Sequence, residues 1–162
     1  MIKTIALAAA ALFLAGPALA TDALTPDQAK AAVFPFYDAL NAAPGKDASS
    51  LVLSATAEGW QSCSADSVCA PREKVAEVVP GFSKAIPDLK WDIKEVLVSG
   101  NRVIVRGEGS GTPAGDFMGV AHSGKKFSLM SIDIHTIENG KMTGKSYHIE
   151  DWAGALRQLS AQ

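Results

Sequence analysis

The strongest constraint on this chain is a period-two pattern near its end, broken once by a turn. Phe127, Leu129, Ser131, Asp133 and His135 alternate with Ser128, Met130, Ile132, Ile134 and Thr136. Side chains two apart on a strand share a face, so the run predicts one long strand from Lys125 to Glu138. Asn139-Gly140 tolerates the positive φ values of a tight hairpin turn, and Lys141 to about Asp151 reads as the returning strand. A second hairpin precedes it. Trp91 to Ser99 and Arg102 to Ser110 flank Gly100-Asn101, with Trp91, Ile93 and Leu97 on one parity.

The first half of the chain follows a helical period instead. Thr25-Pro26-Asp27 is a helix start, and Ala29, Ala32, Val33, Phe36, Tyr37 and Leu40 recur at helical spacing towards about Ala43. Pro35 inside that run predicts a kink or a local break. Next come a short helix over Ala48–Ser54, a loop holding Trp60 and two cysteines, and a third helix from Pro71 to about Ile86, bent at Pro80-Gly81. The stretch from Gly111 to Gly124 is too broken by glycine for long regular structure. Glycines 107, 109, 111, 115 and 119 do not open a helix after a strand, so they form no nucleotide-binding loop and read as turns and bulges. Trp152 to Leu159 is a terminal helix with Asp151 as its cap. Helices followed by antiparallel strands predict an α+β fold: a curved antiparallel sheet packed against three N-terminal helices, with a short C-terminal helix. Such a cone encloses an apolar interior with a few polar groups, which suits a small-molecule site.

Residues 1–20 read as a cleavable signal peptide. Lys3 provides the charged start, Ile5–Leu14 the apolar core, Gly16-Pro17 the break and Ala18-Leu19-Ala20 the small-x-small cleavage site. The apolar core is shorter than the ~20 residues that span a bilayer. Residues 21–162 then form a single domain, expected to be periplasmic or secreted and free of the membrane after cleavage. The formal net charge is −2 and no basic patch is present, so nucleic acid is not an expected partner. Cys63 and Cys69 enclose Ser-Ala-Asp-Ser-Val; in an oxidising compartment this spacing suits a local disulfide, and it lacks the CxxC of redox motifs.

The strand pattern also nominates a site. Phe127, Leu129, Asp133 and His135 combine apolar bulk with a carboxylate and an imidazole on one face, and Ser146, His148 and Glu150 share a face of the returning strand. Hairpin pairing makes Asp133 and His148 neighbours. A hydrogen-bonded Asp–His pair raises the imidazole pKa and fixes its tautomer, which suits acid/base work. The alternative is a buried structural pair or two solvated groups. Asp133, His135 and His148 also compose a two-His, one-carboxylate set, but their spacing is not diagnostic and no metal is assigned. Tyr37 is either an oxyanion donor or a core aromatic, and Trp60 either a ligand contact or a core or lip residue. The opposite face, with Met130, Ile132 and Ile134, needs cover, which a homodimer packed sheet to sheet supplies.

Several short motifs, in their order and spacing, resemble the SnoaL-like polyketide cyclases (ester cyclases) of the NTF2-like superfamily. They are Ile-Pro-Asp-Leu-Lys-Trp at 86–91, Arg-Val-Ile-Val-Arg-Gly at 102–107, Gly-Thr-Pro at 111–113 and Gly-Asp-Phe-Met-Gly at 115–119. Ser-Ile-Asp-Ile-His at 131–135, Asn-Gly-Lys at 139–141, His-Ile-Glu-Asp-Trp at 148–152 and Leu-Arg-Gln-Leu at 156–159 complete the set. The resemblance implies an NTF2-like cone, a dimer through the sheet, no cofactor, and ring closure by an intramolecular aldol reaction. It also implies an aspartate acid/base on the last strand and a histidine on the preceding one. Aligned on 156–159 the aspartate's position holds His148, and aligned on Gly140-Lys141 the histidine's position holds Asp133, so the two residue types are exchanged. The first helix resembles that of the ketosteroid isomerases, where a tyrosine at the place of Tyr37 supports an enolate oxygen. Two function classes follow. One is an exported, cofactor-independent enzyme moving a proton on a small carbonyl compound, of cyclase, isomerase or dehydratase type. There His148 is acid/base, Asp133 its partner, and Tyr37, Trp60, Phe127, Leu129 and His135 contact substrate. The other is a non-catalytic periplasmic small-ligand-binding or interaction domain.

Overall fold

A computed structural model describes residues 23–41, 43 and 45–161; the expected leader lies outside the described residues. Helix α1 (Pro26–Leu40) starts at a reciprocal capping box in which Thr25 and Gln28 each bond the other's backbone N–H. It runs as one helix through Pro35 rather than breaking there, and ends at Leu40, short of Ala43. Its end is stapled to the sheet: the Asn41 amide donates to the Trp91 carbonyl (2.9 Å) and accepts from the Trp91 N–H (2.6 Å). Helix α2 (Ala48–Ala55) is capped by Asp47, and α3 (Arg72–Ala85) packs beside it. Arg72 ties the two together by donating to the Leu53 carbonyl and the Thr56 hydroxyl.

The segment expected to be a loop is a hairpin, β1 (Gln61–Ala65) and β2 (Val68–Pro71), with Cys63 directly opposite Cys69 and disulfide-bonded to it. Its residues are small and polar with no apolar alternation, so only the cross-strand bond and the neighbouring strand define it. The remaining strands are β3 (Lys90–Ser99), β4 (Arg102–Gly111), β5 (Phe127–Glu138) and β6 (Lys141–Glu150), followed by α4 (Trp152–Ser160) with Asp151 capping through Gly154 N–H. Asn139 and Gly140 both take positive φ (51° and 73°), as the hairpin turn requires.

The sheet is curved and unclosed, in the order β2-β1-β6-β5-β4-β3. Its neighbours are antiparallel with one exception: β1 runs parallel to β6, so the sheet is mixed rather than wholly antiparallel. The core lies between its concave face and α1–α3, built on Val33, Val52, Val79, Ile86, Val103, Val105, Phe127 and Met142. The expected alternation holds along β5, where Phe127, Leu129, Ser131, Asp133, His135 and Ile137 are all buried while Met130 is 56 % exposed. It fails in β3. A bulge between Ile93 and Glu95 adds one residue and reverses the parity. Val96 and Val98 therefore turn inward, and Leu97, expected to share the face of Trp91 and Ile93, is 52 % exposed.

Glycines 107, 109 and 111 lie inside β4, not in turns. They make room: a Cβ on Gly109 would sit 2.7 Å from the Trp91 ring, one on Gly107 2.9 Å from the Trp91 nitrogen, and one on Gly111 would run into Ile86. Bare backbone lets the indole lie flat on the strand and form a wall of the interior. Among the described residues no helix is long and apolar enough to cross a membrane.

Candidate active site

A cavity of about 430 Å³ opens between α1, α3, the β1–β2 hairpin and the concave sheet, a normal size for a small-molecule site. The helices line it with apolar groups, among them Phe36, Leu40, Val75 and Val79. The sheet supplies the polar floor: Asp133 and His135 from β5, and Ser146, His148 and Glu150 from β6. Strand parity puts these five on one face, and the register sets Asp133 directly opposite His148. Among the described residues no lysine or arginine lines the cavity.

Two hydrogen-bonded groups occupy the floor. The deeper one is buried throughout. Trp60 Nε1 donates to Ser146 Oγ (2.8 Å), Ser146 Oγ meets His135 Nδ1 (2.9 Å), His135 Nε2 meets the Tyr37 hydroxyl (3.2 Å), and that hydroxyl donates to Asp133 Oδ2 (2.9 Å). The Ser131 hydroxyl lies 3.4 Å from the same Asp133 oxygen. The shallower group is His148, whose Nδ1 lies 2.9 Å from Glu150 Oε1, with the two side chains 28 % and 20 % exposed.

These surroundings shift the acidities in different directions. Burial raises the Asp133 carboxyl to about 6, against the pull of the Tyr37 hydroxyl bond, with Glu150 adding to the rise. Burial lowers the His135 imidazole to about 3, aided by the charges of His148 and Arg102, so it is neutral at any ordinary pH. Burial and the Asp133 charge raise the Tyr37 phenol well above its usual value. The Glu150 hydrogen bond raises His148 despite partial burial. His148 is therefore the more basic of the two imidazoles in the cavity, with Nδ1 held by Glu150 and Nε2 left for a ligand.

Of the residues nominated from sequence, Tyr37, Trp60, Asp133, His135 and His148 all line this cavity. Phe127 and Leu129 do not. They share the inward face but lie further along β5, where Phe127 packs against Phe117 and Trp152. The expected Asp133–His148 hydrogen bond is replaced by two others, because Tyr37 reaches Asp133 and Glu150 lies two residues from His148 on the same strand face. The cysteines are bonded, and Cys69 borders the cavity. Among the described residues no group of three or more His, Cys, Asp or Glu is arranged to hold a metal ion.

Sequence reasoning puts Ser146 and Glu150 on the face of His148 without giving either a role, and gives none to Trp91. The first two carried a signal, their i, i+2 spacing with His148. Trp91 did not: its indole N–H is buried against the glycines of β4 with no acceptor among the described residues.

Solved structures with the same fold include a protein described as a SnoaL-like polyketide cyclase from Jannaschia sp. CCS1 (TM-score 0.71, 18 % identity, covering 86 % of this chain and 97 % of that one). TsrD from Streptomyces laurentii is similar to the same extent (TM-score 0.72, 22 % identity, 86 % and 99 % covered). AclR from Streptomyces galilaeus, described as a hydroxylase, also matches (TM-score 0.69, 21 % identity, 85 % and 84 % covered). These likenesses establish a shared fold, and one fold carries proteins described in different terms. No curated protein sequence matches the chain. The profile of the SnoaL-like polyketide cyclases matches residues 46–159, which include all five polar floor residues of β5 and β6 but not Tyr37, and the chain belongs to that family.

Proposed function

We propose that the protein is an exported, cofactor-independent acid/base enzyme that moves a proton on a small, largely apolar carbonyl compound. The observation that carries this reading is the His148–Glu150 pair, part-exposed beside the buried Tyr37–Asp133 pair in an otherwise apolar cavity. Glu150 fixes the tautomer that leaves His148 Nε2 as the base, and its hydrogen bond makes that ring more basic. Abstraction of a proton α to the carbonyl places negative charge on its oxygen. The Tyr37 hydroxyl, whose proton rests on Asp133 at the cavity floor, is the donor that can turn to that oxygen. Asp133 thus belongs with the Tyr37 hydroxyl rather than serving as the hydrogen-bond partner of His148. Among the described residues the cavity has two carboxylates and no lysine or arginine, which disfavours a free carboxylate or phosphate and favours a neutral ketone or ester.

Export is supported by the leader pattern of residues 1–20, and the Cys63–Cys69 disulfide is compatible with it. A homodimer is supported by the apolar side chains on the convex face of the sheet, Met130, Ile149 and Leu97. The test of the chemistry is exchange of α-protons for deuterium on simple cyclic ketones and β-keto esters. Wild type should accelerate exchange on at least one of them, and His148→Ala should lose ~10²–10⁴-fold of that rate. Equal rates in the two proteins sink the enzymatic reading and leave the non-catalytic ligand-binding domain.

A further inference from the structure

We infer that Trp60, Ser146 and His135 form a one-way hydrogen-bond chain whose role is to aim the Tyr37 hydroxyl proton at Asp133. Each link has a direction that donor and acceptor chemistry fixes in turn. An indole N–H can only donate, so Ser146 Oγ accepts from Trp60. At the other end Asp133 is reached by Tyr37, whose single proton is used on Oδ2. The Tyr37 oxygen at 3.2 Å from His135 Nε2 must then accept, so the Nε2 of His135 carries the ring proton. Its Nδ1 is left bare and takes the hydroxyl proton of Ser146 at 2.9 Å. The sequence of donations is Trp60 to Ser146 to His135 to Tyr37 to Asp133, with no proton spare and no acceptor doubly donated within it.

The opposite direction is disfavoured at its first step. If Nδ1 of His135 donated to Ser146, that oxygen would receive two donors, and its own proton would need an acceptor among buried neighbours. The Tyr37 proton would also turn to Nε2 and abandon a buried carboxylate. All five residues are at most 7 % exposed, so water does not substitute readily for a broken link. The low His135 pKa agrees with a ring kept neutral as a conduit, not a titrating base. The groups that bear electrostatically on this chain are His148 and Glu150 from β6 and Arg102 from β4, and Ser131 bonds Asp133 beside it.

Trp60, Ser146 and His135 are in this sense positioning residues. They set the state of the Tyr37–Asp133 pair, while the turnover that pair assists rests on the reading given above. The tautomer of His135 decides the matter without any substrate. In ¹⁵N-labelled full-length protein at pH 7 to 8, where Asp133 is ionised, long-range ¹H–¹⁵N spectra of the imidazole should show the proton on Nε2 and a bare Nδ1. Ser146→Ala removes the donor to Nδ1, and a population of the Nδ1–H form should appear. Ser131→Ala lies off the chain and should leave the tautomer unchanged. A wild-type ring protonated on Nδ1, or a folded Ser146→Ala protein with an unaltered tautomer, overturns the chain. If the tautomer is as stated and no carbonyl substrate is turned over, the enzymatic reading fails and the chain stands.

Discussion

Replacing Tyr37 by Phe keeps the ring in its slot beneath Phe36 and removes a single hydroxyl. Its consequence is set by the buried carboxylate that loses the donor. In the folded protein Asp133 titrates at about 6, against ~3.9 in the unfolded chain. A raised carboxyl pKa means that the folded state holds its proton more tightly. Asp133 therefore favours folding most at low pH, and that contribution is lost as pH rises from about 4 through about 6. Two units at 1.36 kcal/mol each put the loss at about 3 kcal/mol. A hydrogen bond to a charged group is worth ~1.5–3 kcal/mol, so Tyr37→Phe should lift Asp133 by a further ~1–2 units, towards roughly pH 7–8. Below pH 5 both proteins carry a neutral Asp133, and the variant loses only a neutral hydrogen bond. Between about pH 6 and 8 its deficit should grow by ~1.5–3 kcal/mol. The titration of His148 is common to both proteins and largely cancels, while His135 stays neutral throughout. Urea denaturation of both proteins at pH 4.5, 6 and 8 reads the difference directly. A deficit that is flat across that range refutes the assignment of Tyr37 as donor to a buried, ionising Asp133.

Other features give sharp expectations of their own. Glu150 raises His148, so Glu150→Gln should move the rising limb of a pH–rate profile to lower pH, because the base is the neutral imidazole; a limb moving upward contradicts the pairing. Reducing Cys63–Cys69 releases a short loop worth ~2 kcal/mol, which lowers the melting temperature by roughly 5–8 °C in calorimetry; an unchanged transition shows that the bond is not formed. Ile149 is 74 % exposed on the convex face. If that face joins two copies, Ile149→Glu should turn a dimer into a monomer in sedimentation equilibrium, and a monomeric wild type removes the dimer altogether.

The strands were readable wherever one face is apolar and the pairing has no extra residue. The two long hairpins and the inward set on β5 are of that kind. Where a bulge intervenes, as at Ile93/Glu95, alternation points the wrong way afterwards, so Leu97, which shares the parity of Trp91 and Ile93 in the sequence, lies on the opposite face. The hairpin 61–71 was hidden because its strands are short, polar and stabilised by a cross-strand bond and a parallel neighbour, neither of which leaves a local pattern. For the site, parity identified the correct face but not depth along it. Phe127 and Leu129 share a face with Asp133, yet the cavity ends before reaching them. Likewise, Asp133 and His148 were recognisable as neighbours, while the competing partners Tyr37 and Glu150 depend on how a helix and a strand end are placed.

The parallel seam between β1 and β6 bears on the order in which the molecule assembles. Strands β3 to β6 form two tight hairpins joined by β4–β5 pairing, so most of their contacts close modest loops. The seam joins distant parts of the chain: Ser62 pairs with Ser146, and Trp60 reaches Ser146 across 86 positions. Loop-closure entropy sets such contacts late. Val103 and Val105 sit in the meander and Ser62 in the seam. Truncating either valine should slow refolding, whereas changes at Ser62 should chiefly speed unfolding, as stopped-flow mixing would register. The ligand cavity is then the last compartment to form, and a chain with its meander complete can possess nearly all of its sheet and none of its site.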